Sequence, residues 1–370
     1  MIDPWQFKPF VVSVEITRQC NLRCPFCYAG APFEKSENPH MPLTLFYKIL
    51  DDLDALEPFS VFIGGGEPFL HPNILEIIEA TVSRDYSIML SSNGTMITEN
   101  LVKKIKDIGI DGGIQVSIDG LRETHDRLRG VPGTWDRAIF AVKILSQNDI
   151  ATSVGTIISK ENISEIPKLI EIVEEAGATV LHLMLLMPTK NFRGDEYDRL
   201  RPTPDQIAHL YAWLKEHEKD YDIDIDYGNI MFNFDKLYDV ANRDDPLSKV
   251  LQPLYSGCAA GTTEIVITYN GDVIPCELFR DSEWVVGNVR EQPLSEIWYH
   301  SKKLSEFRRR KQDVSALHHP CNTCEFKQLC MGGCPAASYW YYGDISYPDP
   351  LCPRVAHAEQ IQAKIKKHGE

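Results

Sequence analysis

The sequence predicts an α/β chain in which a partial (β/α)6, TIM-like barrel precedes a small cysteine-rich domain. Two observations carry that reading. From residue 11 to about 190, short β-branched runs alternate with amphipathic helical stretches, the pattern of βα units around a parallel sheet. The ten cysteines fall in two bunches, three between residues 20 and 27 and seven between residues 258 and 352, with none across the 230 residues in between.

Strands are predicted in order at 11–17, 60–64, 88–92, 113–118, 152–158 and 180–187, each rich in Val, Ile or Thr. Helices are predicted between them at 43–56, 73–83, 98–108, 135–147 and 163–176, several opened by Thr, Asn or Pro and closed near Gly. Six such units make an open version of the eight-fold barrel, whose site lies at the C-terminal ends of its strands. Past Met187-Pro188 the pattern loosens, and a helix at 203–219 leads into an acidic, aromatic bridge near 220–245. From Cys258 onward strands are short and turns frequent, so this region is expected to lack a large apolar core and to need metal to fold. The resulting division is an N-terminal segment at 1–10, the barrel at 11–200, a bridge at 201–257, the cysteine-rich domain at 258–352 and a C-terminal helix or tail at 353–370.

A formal net charge of −15, from 53 acidic and 38 basic residues, excludes a general affinity for nucleic acid or an anionic membrane. The N-terminus lacks the basic start and apolar stretch of a secretion signal. No apolar run approaches the ~20 residues that span a bilayer. A cytoplasmic location is expected, where thiols stay reduced and clustered cysteines mean metal or catalysis rather than disulfides.

The first bunch reads Cys20-Asn21-Leu22-Arg23-Cys24-Pro25-Phe26-Cys27, a CxxxCxxC loop just past the first predicted strand. Three thiolates on one tight loop suit three corners of a cubane [4Fe–4S] cluster, leaving the fourth iron open to a ligand. Structural zinc takes four protein ligands, so three cysteines with no His close by favour iron and sulfur. On these residues the chain resembles the radical S-adenosylmethionine (SAM) enzymes, whose loop carries an aromatic before its last cysteine, here Phe26. The resemblance implies that SAM chelates the open iron. It further implies that an electron from the cluster cleaves SAM to methionine and a 5′-deoxyadenosyl radical, while the protein supplies geometry and excludes water.

Gly64-Gly65-Gly66-Glu67-Pro68 follows the second predicted strand, where that family carries its GGEP loop. Glycine lets backbone approach a ligand closely, and the resemblance sets Gly65, Gly66 and Glu67 against the amino group of SAM. Ser91-Ser92-Asn93-Gly94-Thr95 ends the third strand, and Ser117-Ile118-Asp119-Gly120 ends the fourth, ahead of His125 and Arg129. By the same resemblance Ser117 and Asp119 face the ribose, Arg129 reaches the SAM carboxylate, and Ser92 and Asn93 join the cofactor-binding rim. Read from the residues alone, Ser, Asn and Asp at strand ends also serve as helix caps. His182, Met184 and Met187 on the sixth strand are expected to be packed core.

The second bunch comprises Cys258, then Gly271-x4-Cys276, a 44-residue gap, then Cys321-x2-Cys324-x5-Cys330-x3-Cys334, and Cys352. This spacing resembles the SPASM extension of radical SAM enzymes, supported by Gly287-Asn288-Val289 and Leu294-Ser295-Glu296-Ile297-Trp298 between its halves. The resemblance implies two auxiliary Fe–S clusters, expected as [4Fe–4S]. Cys321, Cys324, Cys330 and Cys352 would ligate the distal one, and Cys258, Cys276 and Cys334 the proximal one. Where some relatives place a fourth proximal cysteine, position 264 is Glu. An open iron, a non-Cys ligand and a smaller cluster are the alternatives there, and one structural zinc held by the distal four is another. Glu277 stands where sulfatase-maturing relatives carry an acidic residue proposed as the base that deprotonates the substrate radical, its other reading being a surface turn. Arg308-Arg309-Arg310-Lys311 is read as the solvated face of the helix begun by Leu294, with a grip on an acidic or carboxylated substrate as the alternative.

These readings predict a radical SAM/SPASM enzyme that takes hydrogen from a substrate C–H bond and completes an oxidation through an auxiliary cluster. The expected substrate is a peptide or protein, and the expected electron donor a flavodoxin or ferredoxin. Because the barrel begins almost at residue 11, a peptide-recognition domain is expected on a separate partner. The segments Gly332–Ala337 and Asp349-Pro350-Leu351-Cys352 also resemble the ends of haem-pathway members that act on modified sirohaems, so a tetrapyrrole is the alternative substrate and a sugar a third. A non-catalytic Fe–S carrier would need no SAM, and the GGEP and Ser-Ile-Asp-Gly segments speak against it.

Overall fold

Strands form at all six expected places. In this computed structural model, which describes residues 7–33, 36–228 and 256–355, the six are β1 (Val11–Thr17), β2 (Ser60–Gly65), β3 (Ser87–Ser92), β4 (Gly113–Ser117), β5 (Thr152–Ile158) and β6 (Val180–Leu185). They run parallel and side by side in sequence order. The sheet then continues past both ends of that set. Strand β7 (Asp224–Tyr227) adds parallel to β6, and β8 (Glu264–Ile267) adds parallel to the free side of β1, with Val11 opposite Glu264 and Val14 opposite Ile267. Strands β9 (Asp272–Ile274) and β10 (Gly287–Asn288) follow antiparallel. The order β10-β9-β8-β1-β2-β3-β4-β5-β6-β7 leaves the sheet open. One strand thus falls in the expected bridge and three in the cysteine-rich region, so the sheet crosses both expected domain boundaries. Residues 1–6, 34–35, 229–255 and 356–370, which include nearly half of the expected bridge and most of the expected tail, lie outside the described residues.

The helices α1 (Leu43–Asp54), α2 (Ile74–Val82), α3 (Glu99–Ile108), α4 (Arg122–Arg129), α5 (Thr134–Gln147) and α6 (Ile166–Glu175) alternate with these strands. Their local causes are legible. In α1, Leu45, Phe46, Ile49, Leu50 and Leu53 form one buried stripe at helical spacing. Helix α3 opens on Thr98, whose Oγ1 accepts from Leu101 N at 3.3 Å, and closes on a left-handed Gly109. Helix α4 is the exception, since Arg-Glu-Thr-His-Asp-Arg-Leu-Arg has no apolar stripe and buries only Thr124, His125 and Leu128. After β6 come α7 (Asp195–Leu200) and α8 (Pro204–His217), the latter started by a capping box between Thr203 and Gln206.

One face of the strands, with Val12, Val14, Ile16, Val61, Ile63, Ile88, Leu90, Ile114 and Val116, is buried in the main apolar core with the helices. The other face carries Ser13, Phe62, Met89, Ser91, Gln115, Ser117, His182 and Met184, all half-buried. A closed eight-fold barrel fills that interior with apolar layers. Here the strands alternate instead, which marks a sheet with one open face. The cysteine-rich region, expected to lack a large apolar core, has a small one of its own. Phe279 and Trp284 each meet Phe307 with ring centroids 5.3 Å apart, surrounded by Ala260, Val266 and Ile274. Its helices are α9 (Leu294–His300), α10 (Lys302–Gln312), α11 (Lys327–Cys330) and α12 (Pro335–Tyr342). Among the described residues no helix is long and apolar enough to cross a membrane.

Candidate active site

The loop carrying Cys20, Cys24 and Cys27 leaves the C-terminal end of β1 and is gripped by three neighbours. The first is the glycine segment after β2. Gly66 N donates to Thr17 O and Glu67 N to Gln19 O, both at 2.7 Å. A Cβ on Gly65 would lie 2.3 Å from Thr17 O and one on Gly66 2.2 Å from Gln19 O, so only glycine permits this approach. The second is Asn93 at the end of β3, whose Nδ2 donates to Asn21 Oδ1 at 2.9 Å and lies 3.8 Å from Cys20 Sγ. The third is Arg129 at the end of α4, whose carbonyl accepts from Arg23 N at 2.9 Å and whose Nη1 lies 3.9 Å from Cys24 Sγ.

Glu67 binds two of these neighbours together. It is fully buried, with Oε1 accepting from Ser92 Oγ at 2.8 Å and Phe69 N at 3.3 Å, and Oε2 accepting from Asn93 N at 2.7 Å. Burial raises its carboxyl to about 7 against these donors. A buried donor left without its acceptor costs roughly 1–3 kcal/mol, so Glu67→Ala is expected to destabilise the chain by about 2–4 kcal/mol in denaturant unfolding. Because the folded-state value lies above the unfolded one, this contribution is complete at acid pH and declines as pH rises through about 7. The loss on substitution should therefore be larger near pH 6 than near pH 8. An unchanged unfolding midpoint would contradict the role.

Asp119 and Arg129 form one unit. Asp119 is fully buried, with Oδ2 2.8 Å from Arg129 Nε and Oδ1 accepting from Ile157 N at 2.9 Å. Its backbone N donates to His125 Nδ1 at 3.0 Å, and burial keeps that imidazole neutral, its pKa lowered to about 3. Burial is the largest influence on Arg129 and works against its charge, yet Asp119 and Cys24 together outweigh it and hold the guanidinium above its ordinary range. Asp119 therefore aims Arg129 at the cysteine loop, and both its oxygens are already engaged. Ser117 lies half-buried on the open face of β4. Phe26 packs edge-on to Phe192, centroids 6.3 Å apart.

The seven later cysteines gather as two groups. Cys321, Cys324, Cys330 and Cys352 line one cavity with Gly332, Gly333 and Asp349. Cys258, Cys276 and Cys334 pack around a second point in the Phe279 core, and the fields of Glu277 and Glu264 reach Cys276 there. Burial pushes the Cys20 and Cys321 thiols up to about 11 and Cys27 and Cys330 to about 12, so positive charge must displace their protons before they ligate. The donors Asn93 Nδ2 and Arg129 Nη1, directed at thiol sulfur, suit a charged thiolate cluster. Among the described residues no three His, Cys, Asp or Glu side chains come close enough to share a single metal ion.

The segment after Cys276 ties the second site to the first. Arg280 pairs with Glu15 on β1, both nearly fully buried, and Asp281 lies 2.8 Å from Arg18 Nη2 and 3.9 Å from Lys190 Nζ. The Glu277 charge reaches Tyr28, the neighbour of Cys27: the Tyr28 phenol is raised first by burial and then by that charge. Burial raises Glu277 itself above the usual carboxylate range. Glu264, raised to about 8 by burial and by Glu277, stands beside it.

The cation run on α10 is corrected outright. Only Arg309 is exposed. Arg308 donates to Gly261 O at 2.6 Å and Trp298 O at 2.7 Å, and Lys311 to Thr262 Oγ1 at 3.0 Å. These side chains face the thiol region because loops rich in free carbonyls converge on α10.

A family model described as the radical SAM superfamily matches residues 14–173, and the SPASM model, described as an iron-sulfur cluster-binding domain, matches residues 258–325. An AdoMet-dependent heme synthase of Methanosarcina barkeri is 30% identical over 350 residues, 93% of this chain and 96% of that protein. The chain belongs to the radical SAM superfamily. This radical SAM/SPASM enzyme is also 28% identical to the mycofactocin maturase MftC of Mycobacterium tuberculosis, over 96% of this chain and 85% of that protein. Its fold matches that of SuiB from Streptococcus suis, solved bound to S-adenosylmethionine, with a TM-score of 0.75 over 93% of this chain and 77% of that one, at 18% identity.

Two features of this radical SAM enzyme escape sequence reasoning. His182 is not packed core: its Nδ1 lies 2.9 Å from Asp226 Oδ2 on the open face of β6 and β7. The alternation of Leu181 and Leu183 with His182 and Met184 was the available signal. The Glu15–Arg280 pair has no local signal, since its members are 265 residues apart.

Proposed function

We propose that this radical SAM/SPASM enzyme oxidises a substrate C–H bond on the open face of the sheet. When bound, the cluster and SAM supply a 5′-deoxyadenosyl radical that removes the hydrogen atom. Cys20, Cys24 and Cys27 hold that [4Fe–4S] cluster. Gly65, Gly66, Glu67, Ser92 and Asn93 shape the rim that receives SAM, Ser117 meets its ribose, and Arg129, aimed by Asp119, meets its carboxylate, with Phe26 closing the loop. Two auxiliary clusters take Cys321, Cys324, Cys330 and Cys352, and Cys258, Cys276 and Cys334. Glu277 would take the substrate proton, and the auxiliary clusters, when bound, would supply an acceptor for the electron. The observation that carries this reading is the position of Glu277, next in sequence to Cys276, with its charge reaching Tyr28, the residue next to Cys27.

Among substrates, a haem-precursor tetrapyrrole has the stronger support, from a heme synthase matched over 96% of its length. A peptide is the second reading, favoured by the likeness to a maturase. A reduced flavodoxin or ferredoxin delivers the electron in the cytoplasm. The test is anaerobic reconstitution followed by dithionite, SAM and either an iron-coproporphyrin or a candidate precursor peptide. Substrate-dependent 5′-deoxyadenosine with an oxidised tetrapyrrole product is expected. Turnover on the peptide alone would reverse the order of the two readings, and failure to cleave SAM with either would refute the reaction.

A further inference from the structure

Arg310 on α10 is 7% exposed, among the most enclosed charges of the described residues. Its Nε donates to Ile345 O at 2.7 Å and its Nη1 to Gly333 O at 3.3 Å. Its Nη2 has no hydrogen-bond partner among the described residues. The loop it holds is Cys330-Met331-Gly332-Gly333-Cys334, which begins in the distal thiol group and ends in the proximal one. That loop fits so closely over the guanidinium that a Cβ on Gly332 would sit 2.7 Å from Nη2. Gly332 and Gly333 line the distal cavity, while Arg310 itself lines a second cavity beside Cys258.

We propose that Arg310 is a positioning residue shared by the two auxiliary cluster sites, its one charge and its unpartnered Nη2–H serving both. The inference rests on the assignment of two clusters to these thiols. The Arg310 charge reaches Cys258 and Cys334 on the proximal side and Cys330 and Cys321 on the distal side. Reducing a cluster adds negative charge, so a buried cation beside it favours the reduced form, and an N–H donor to sulfur acts in the same direction. Asp349, which accepts from Cys334 N at 3.0 Å and Leu351 N at 2.8 Å, also feels the Arg310 charge. Removing Arg310 withdraws one of the two cations whose charge reaches that carboxylate, the other being Arg201.

The test is potentiometry with electron paramagnetic resonance on the full chain, reconstituted anaerobically with Cys20, Cys24 and Cys27 replaced by Ala so that only auxiliary centres are observed. Arg310→Gln is expected to move both midpoints to more negative potential. Arg310→Lys, which keeps the charge but not the fork, is expected to move both less, and Arg309→Gln, from the exposed neighbour, to move neither. Midpoints unchanged in Arg310→Lys and Arg310→Gln, or a shift at one centre only, would overturn the inference while leaving two clusters in place. Should Arg310→Gln not hold iron, the lysine variant decides alone. A parent chain with a single auxiliary centre would overturn the two-cluster assignment and the inference with it.

Discussion

Replacing Cys20, Cys24 and Cys27 together by Ala is expected to abolish SAM cleavage while leaving most of the iron in the protein. These thiols are the donors of one loop, and three cysteines are the fewest that fix a cubane while keeping an iron open. Without them there is nothing to receive the electron that SAM requires. The loop should still fold, because its position depends on other groups. Leu22 and Phe26 are buried in an apolar cluster with Leu128, Phe192 and Tyr197, and Gly66, Asn93 and Arg129 hold the backbone. The later thiols sit in a separate core around Phe279 and Phe307. Iron and sulfide analysis should therefore fall from roughly twelve to roughly eight irons per chain for three [4Fe–4S] clusters. Chromatography should find no 5′-deoxyadenosine above background under dithionite. Cleavage that survives the substitution would refute the placement of the SAM site.

Glu277→Gln is expected to separate two events that the parent chain couples. The amide keeps size and hydrogen bonding but cannot take a proton, and a positioned general base contributes about 10²–10⁴-fold. Product formation should drop by about that factor, while SAM is still cleaved, because the bonds that hold the Cys20 loop run through Gly66, Glu67, Asn93 and Arg129. The Arg280–Glu15 and Asp281–Arg18 pairs remain to fix the segment. The measurement compares 5′-deoxyadenosine with oxidised product over time. A ratio equal to that of the parent chain would return Glu277 to the role of a turn residue.

Much of the barrel was legible because its signals are local. Runs such as Val11–Thr17 and Thr152–Ile158 are β-branched throughout, and Thr98 and Thr203 mark helix starts through side-chain bonds made within three residues. Strand β7 was not, since Asp-Ile-Asp-Tyr is short and its charges read as a bridge. Helix α4 was not, since its sequence is polar all round and long-range packing holds it. The grouping of seven cysteines into four and three is what the resemblance to the SPASM extension implies; in the structure Cys321, Cys324, Cys330 and Cys352 line one cavity, while Cys258, Cys276 and Cys334 pack in the Phe279 cluster. The roles of charges were harder to read. Asp119 sits in a motif that the resemblance sets against a ribose, and only folding shows that Arg129 returns to take its carboxylate. The run at Arg308 reads as solvated because composition cannot show which carbonyls will converge on a helix.

The ladder between β1 and β8 has one more consequence. Neighbouring domains joined by a linker are free to shift relative to each other unless a large interface holds them. Here four consecutive residues of the cysteine-rich region pair with the strand that delivers the first cysteine loop, and ion pairs from Arg280 and Asp281 close the same seam. The two thiol regions thus share one rigid frame. The spacing between them is set by strand pairing when the chain folds.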